Sequence, residues 1–294
     1  MSIFEGAATA LITPFHEDGS VNYEKLEALV DGQIAGGIDG LVICGTTGEA
    51  ATLSHEEHIE CIRVAVARAA HRVPVIAGTG SNCTDTAVYL SKEAEQAGAD
   101  AVLLVSPYYN KATQRGMYEH FADTAHAIDI PVVLYNIQGR TGCNIEPVTI
   151  AKLAAEVDNI VAVKEASGNI SQVAKIAALT GEDFAIYSGN DDQVVPLLSL
   201  GGKGVISVAS HLIPAEMSRM VHAYLEGKVK ESLKLQMNYL NLINILFCEV
   251  NPIPVKEAMN LLGWEVGPFR KPLTPMEDGH REQLIQEMKR VGLL

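Results

Sequence analysis

The chain has 294 residues, 48% of them hydrophobic and 20% charged, an ordinary globular balance with length for one sizeable core or two smaller ones. Its 36 acidic and 22 basic residues give a formal charge of −14, which repels phosphate backbones and anionic lipid surfaces. There is no basic run, no uncharged apolar stretch near the roughly 20 residues of a membrane span, and no basic-then-apolar leader; no nucleic-acid or membrane partner and a cytoplasmic location are expected.

The elements alternate from the start. An apolar run at Ala7–Ile12 precedes a helix from Tyr23 to Ala35, which Asn22 caps and whose Leu26, Leu29, Val30 and Ile34 recur at helical spacing. Gly40–Cys44 is the second run, and the capping box Ser54-x-x-Glu57 opens a helix through Ala70. Val73–Ala77, a helix from Thr84 to Ala97, Ala101–Val105 and a helix from Gln114 to Ala127 continue the pattern. Four further runs follow at Val132–Tyr135, Ile160–Lys164, Ala185–Tyr187 and Gly204–Ser207. Gly36-Gly37, Gly98 and Gly181 stand where helices end and predict left-handed caps.

Eight short runs rich in Val, Ile and Leu read as strands buried on both faces, parallel and joined by right-handed crossovers. An open dinucleotide-binding sheet wants Gly-x-Gly-x-x-Gly after an early strand, and Gly78-Thr79-Gly80 is too short a match. The expected fold is therefore α/β, a closed (β/α)8 TIM barrel. Beyond Ser210 only helices are predicted: Pro214–Leu225, Val229–Phe247, Pro254–Leu262 and Glu282–Val291, with Pro252 and Pro254 breaking the third from the second. The barrel is assigned to residues 1–225 and a C-terminal helical appendage to 226–294.

In such barrels the loops after the strand C-termini form the active face, which selects residues without further assumption. Lys164 ends the run Ile160–Val163, so its amine is carried toward the barrel mouth. An ordinary lysine has only about one amine in 2,500 uncharged at pH 7, and burial lowers the pKa toward a nucleophile for carbonyl carbon. Pairing with Glu165 or another carboxylate is the equal alternative. Tyr135, one strand earlier, can move protons at a reacting oxygen or simply pack with its hydroxyl satisfied. Gly45-Thr46-Thr47-Gly48 offers N–H groups and hydroxyls to an anion, although a plain turn has the same composition. Arg140 has the fork to grip a carboxylate, or is a solvated surface charge.

Other chemistries find little support. The five cysteines, Cys44, Cys61, Cys83, Cys143 and Cys248, form no Cys-x-x-Cys pair, so neither a disulfide framework nor structural zinc is expected, and Cys44 reads as a buried strand residue. His55 and His58 lack a His-Glu-x-x-His frame and Ser106 lacks a Gly-x-Ser-x-Gly elbow; no metal and no serine hydrolase are expected.

Gly45-Thr46-Thr47-Gly48-Glu49, Pro107-Tyr108-Tyr109-Asn110, Tyr135-Asn136, Arg140-Thr141-Gly142 and Val163-Lys164-Glu165, in this order, resemble the dihydrodipicolinate synthase family within the N-acetylneuraminate lyase superfamily. The resemblance runs from Ile3 to Leu294 and includes Asn251-Pro252-Ile253-Pro254-Val255-Lys256 in the appendage. It implies condensation of pyruvate with aspartate-4-semialdehyde in lysine biosynthesis, without metal or organic cofactor. Lys164 then matches the imine-forming lysine. Tyr135, Thr46 and Tyr109 match a proton relay, with Tyr109 supplied by an adjacent subunit of a homotetramer built as a dimer of dimers. Thr46 and Thr47 match binders of the pyruvate carboxylate, Arg140 the binder of the semialdehyde carboxylate, and Gly189 and Ile206 positions whose carbonyls line the site. N-acetylneuraminate lyase and keto-deoxy sugar acid aldolases share the lysine and tyrosine but take longer hydroxylated substrates; a non-catalytic ligand-binding barrel is the remote alternative.

Two departures are visible. Gln138 stands where the family pattern has proline, which bears on the path of the Arg140 loop. Ala51, His55, His58, Asn82 and Tyr108 match an allosteric lysine cleft, but Thr86 replaces its usual glutamate, so weak or absent inhibition by lysine is expected.

Overall fold

Runs of four to six residues form strands β1 (Gly6–Ala10), β2 (Gly40–Ile43), β3 (Val75–Gly78), β4 (Ala101–Val105), β5 (Val132–Asn136), β6 (Ile160–Glu165), β7 (Ala185–Ser188) and β8 (Gly204–Ser207). In this computed structural model, which describes residues 2–294, each strand pairs in parallel with the next and β8 returns to β1, closing the barrel. Around it lie α1 (Tyr23–Ala35), α2 (His55–Ala69), α3 (Thr84–Gln96), α4 (Gln114–Ala125), the single turn α5 (Gln138–Thr141), α6 (Pro147–Glu156), α7 (Ile170–Thr180), the short α8 (Val194–Leu198) and α9 (Pro214–Leu225). The chain ends in α10 (Val229–Ile245), α11 (Ile253–Leu261) and α12 (Asp278–Arg290).

Both faces of every strand are buried, yet alternate residues enter different layers. Ala8, Val42, Leu103, Val133, Tyr135, Ala162 and Tyr187 fill the barrel interior. Their neighbours, such as Leu41, Val102, Leu134, Val163 and Ile186, pack outward under the helices. Lys164 is in register with Tyr135 on one side and Tyr187 on the other, two residues beyond the interior Ala162. The same alternation turns Glu165 outward with Val163. At the opposite end Phe4 stacks on Tyr187, with ring centroids 4.4 Å apart, and closes the barrel floor.

Helix boundaries follow local chemistry. Asn22 and Ser54 cap α1 and α2 as their side chains predict, Ser54 with the full reciprocal box to Glu57. Gly37, Gly98 and Gly181 take positive φ, whereas Gly36 stays right-handed at φ −73° because the α1 turn completes through it. Four helices between β5 and β8 (α5 to α8) were not assigned from sequence; they are short, and α6 and α7 carry few charged residues to mark a solvent face. α11 starts at Ile253, one residue before the expected Pro254, which lies in its first turn, where its missing N–H breaks no helical bond. The last helix starts at Asp278, earlier than the periodicity suggests, and α4 stops at Ala125. Cys44 is buried but sits just past β2 with φ 57°, in the turn rather than the strand. Among the described residues no helix is long and apolar enough to cross a membrane.

Candidate active site

Lys164 is 7% exposed, and its nitrogen lies 4.4 Å from the centre of the Tyr135 ring. Burial among the apolar lining lowers its pKa from 10.5 to about 8; Asp191 opposes the shift and the Arg140 charge adds to it. Pairing with Glu165 does not occur. The Glu165 carboxylate accepts from Asn136 Nδ2 at 3.0 Å, Gln172 Nε2 at 3.2 Å and the Ser167 N–H at 2.8 Å, all in the outer layer. At pH 7 a pKa near 8 leaves about one amine in ten uncharged, roughly 250-fold more than an exposed lysine.

The neighbouring strand end is shaped around this side chain. A Cβ at Gly189 would stand 3.0 Å from Lys164 Cε and 2.5 Å from Ala166 Cβ, so only glycine lets β7 pass so close. Ile206 is fully buried in the barrel interior. Two residues later the chain turns, and Asp191 Oδ2 accepts from the N–H groups of Val208 and Ala209 at 2.9 Å each. Asp191 is buried, its other oxygen has no partner among the described residues, and burial pushes its carboxyl up while those N–H groups and Lys164 oppose the change. Asp191 was not singled out from sequence, although an acidic residue just beyond an apolar strand end satisfies the rule that selected Lys164.

On the other side stands the loop after β2. Thr47 is buried and Thr46 exposed, and among the described residues neither N–H donates within the chain, leaving both free for an anion. The loop is held from outside by Thr13 Oγ1, which donates to the Gly48 carbonyl at 2.6 Å, and by Asn251 Nδ2, which donates to Thr47 Oγ1 at 2.9 Å. Tyr135 is 5% exposed; burial pushes its phenol up, with the Arg140 charge and the Thr46 side chain pulling the other way.

Arg140 is carried on the turn α5. Gln138 occupies the first helical position, where proline would also fit, and the Gly142 N–H returns to the Gln138 carbonyl at 2.9 Å. Thr141 Oγ1 donates to the Ile137 carbonyl at 3.1 Å, so hydrogen bonds define this path without a proline ring. The guanidinium is exposed and donates to the Asn251 carbonyl at 3.2 Å. Thr46, Tyr135, Arg140 and Asn251 line a cavity of about 490 Å³, with Lys164 behind the Tyr135 ring.

The same cavity extends to Ala51, His55, His58, Thr86 and Tyr108. Asn82 joins that group by donating to the Tyr108 carbonyl at 3.1 Å. His58 is buried against the Gly78 carbonyl at 2.7 Å, and desolvation lowers its pKa, which keeps it neutral. Tyr109 is the exception among the expected site residues. It is 92% exposed with φ 68°, and its ring reaches none of them in a single chain.

The profile of the Dihydrodipicolinate synthetase family matches residues 3–291. The 4-hydroxy-tetrahydrodipicolinate synthase of Lachnoclostridium phytofermentans is 62% identical over 294 residues, covering all of both chains. That of Acetivibrio thermocellus is 58% identical over 292 residues, 99% of each chain. Among solved structures, DHDPS from Cyanidioschyzon merolae with lysine bound superposes with a TM-score of 0.98 at 46% identity, covering all of both chains.

Proposed function

The chain belongs to the Dihydrodipicolinate synthetase family, and on that premise we propose that it condenses pyruvate with L-aspartate-4-semialdehyde to 4-hydroxy-tetrahydrodipicolinate, the first committed step of lysine biosynthesis through diaminopimelate. The observation that carries the reading is the buried Lys164 amine, with a pKa near 8 and Glu165 turned away from it. The uncharged amine attacks the keto carbon of pyruvate and, after loss of water, forms an imine. Tyr135, whose ring centre is 4.4 Å from the Lys164 nitrogen, is the phenol assigned to pass the protons that carbinolamine formation and dehydration require. The free N–H groups of Thr46 and Thr47 donate to the pyruvate carboxylate. In a protein of charge −14, the cations Lys164 and Arg140 make this mouth a local attractor for anions.

The protonated imine withdraws electrons, so the former methyl group loses a proton and becomes an enamine. The enamine carbon attacks the semialdehyde carbonyl, forming the new carbon–carbon bond. Arg140 holds the carboxylate of this second substrate. The substrate's amino group then attacks the imine carbon and closes the ring, releasing Lys164 as the free amine. Gly189 and Ile206 carry the strand ends that flank the reacting atoms. Tyr109 completes the relay to Thr46 and Tyr135 from an adjacent subunit; its full exposure in one chain supports that role, within a cytoplasmic tetramer of two tight dimers.

Incubation with pyruvate followed by borohydride should add a reduced pyruvyl group to Lys164, detectable by mass. Absence of the adduct sinks the imine mechanism. Offered aspartate-4-semialdehyde and, separately, N-acetylmannosamine, the enzyme should turn over the first; preference for the sugar overturns the synthase reading.

A further inference from the structure

The segment before α11 belongs to the appendage, yet Asn251 reaches the barrel mouth with both halves of its structure. Its side-chain amide donates to Thr47 Oγ1 at 2.9 Å, and its main-chain carbonyl accepts from Arg140 Nη2 at 3.2 Å. Asn251 is 6% exposed and Thr47 3% exposed, so bulk water does not compete for these groups. A threonine hydroxyl has one proton and two lone pairs. Since Asn251 donates to it, one lone pair is occupied, and among the described residues the Thr47 proton has no acceptor. That proton is left free to donate to an anion resting on the adjacent free N–H groups.

We propose that Asn251 is a positioning residue for the keto-acid carboxylate: it fixes the rotamer and hydrogen-bond polarity of Thr47, so that the Thr47 hydroxyl donates to the substrate. The inference rests on the Lys164-imine reading of the mouth and adds a residue that does not touch the reacting atoms. Among the described residues Asn251 Oδ1 is buried with no donor. A side chain serving only to join appendage to barrel would have both ends satisfied, because an unmatched buried acceptor is costly. Here the donor end is committed to Thr47 and the acceptor end is left over. The Asn251 carbonyl meanwhile holds Arg140, so one residue borders the sites of both substrate carboxylates.

The test follows the pyruvate concentration needed for half-maximal borohydride trapping in wild type, Asn251→Ala, Asn251→Asp, Thr47→Val and the double variant Asn251→Ala/Thr47→Val. Loss of one oriented donor to a carboxylate should raise that concentration about 10- to 100-fold in Asn251→Ala, while trapping at saturating pyruvate stays complete. Asn251→Asp keeps the shape but can only accept, so Thr47 donates to it instead and the concentration rises at least as much. In the double variant the Asn251 change should add less than about twofold to the Thr47→Val effect. Unchanged half-saturation in both Asn251 variants, with normal wild-type trapping, overturns the inference alone. Fully additive effects in the double variant also overturn it, since Asn251 then acts other than through Thr47. Absence of any adduct in wild type overturns the imine reading and this inference with it.

Discussion

Two lysines are buried in this molecule, and their surroundings differ completely. Lys164, at the barrel mouth, has an aromatic face at 4.4 Å and its neighbouring Glu165 directed elsewhere. Lys256, where the appendage meets the barrel, is 0% exposed and donates to Glu49 Oε1 at 2.8 Å, to the Pro268 carbonyl at 2.7 Å and to the Thr13 carbonyl at 3.2 Å. The rings of Phe15 and Phe269 face the same ammonium at 4.5 and 5.2 Å. Burial lowers the pKa of both, but at Lys256 Glu49 opposes the shift by charge and hydrogen bond, and three acceptors hold the proton in place. Burial thus supplies a nucleophile only where it comes without partners; with partners it supplies a rivet.

The largest effect that can break this contrast is on activity. Lys164→Met should reduce synthase turnover by at least about a thousandfold and abolish borohydride trapping, because the covalent route is lost. Detectable trapping in that variant would transfer the nucleophile elsewhere. Lys256→Met should instead destabilise the fold by about 3–5 kcal/mol, since it strands the Glu49 carboxylate, itself 5% exposed, without its counter-charge. Adding Glu49→Gln to that variant should restore more than half of the loss. Denaturant titrations of the three proteins would show it, and equal stability of Lys256→Met and wild type would contradict the rivet.

Semialdehyde binding gives a smaller and more selective effect. Arg140→Ala should lower kcat/KM for aspartate-4-semialdehyde about 10- to 100-fold while the trap with pyruvate stays intact, because the guanidinium serves the second substrate. Loss of the trap as well would show that Arg140 acts on the first.

The pH dependence of stability tests the surroundings of Lys164 more finely. The Lys164 pKa is depressed to about 8, so between that value and 10.5 the folded protein binds fewer protons than the unfolded chain. The cost of burying the ammonium is complete below about pH 8 and fades as pH rises toward 10.5, so this group makes stability climb across that window. Lys164→Met should remove the climb and raise stability near pH 7. Melting curves at pH 7 and at about pH 9.5 measure the difference; the same slope in variant and wild type would assign it to other groups.

Much of the mouth was legible from sequence because its rule is local. A strand buried on both faces reads as an apolar run, and the polar residues where the run ends mark the catalytic face, which is how Lys164, Tyr135 and the Thr46–Thr47 loop were found. The short helices α6 and α7 were passed over because segments of ten or eleven residues with one or two charges give little to mark their solvent face. The junction was opaque for a different reason. Asn251 and Thr47 are 204 positions apart, and Lys256 and Glu49 are 207, so no spacing or periodicity links them. Asn251 and Lys256 stood inside a segment matched to the family, but their partners became visible only in three dimensions. Tyr109 marks a further boundary: in one chain it is simply an exposed ring, and the role proposed for it needs a second copy of the chain.

The smallest expected effect concerns the far end of the cavity, where Thr86 stands on the first turn of α3 beside His55, His58 and Tyr108. This cleft resembles the mouth rather than the junction, because its polar groups lack a compact set of internal ion pairs. Its chemistry for a free lysine is nevertheless incomplete. The effector's ammonium needs a carboxylate, and a threonine hydroxyl offers only a neutral acceptor, with hydrogen bonds roughly half as strong as charge-assisted ones. Neutral His58 cannot bind the effector's carboxylate by charge either. Submillimolar lysine should therefore change the rate by less than about twofold, whereas Thr86→Glu should tighten inhibition by about tenfold or more. Strong inhibition of the unmodified enzyme at that concentration would show that the cleft holds the ammonium through groups other than residue 86.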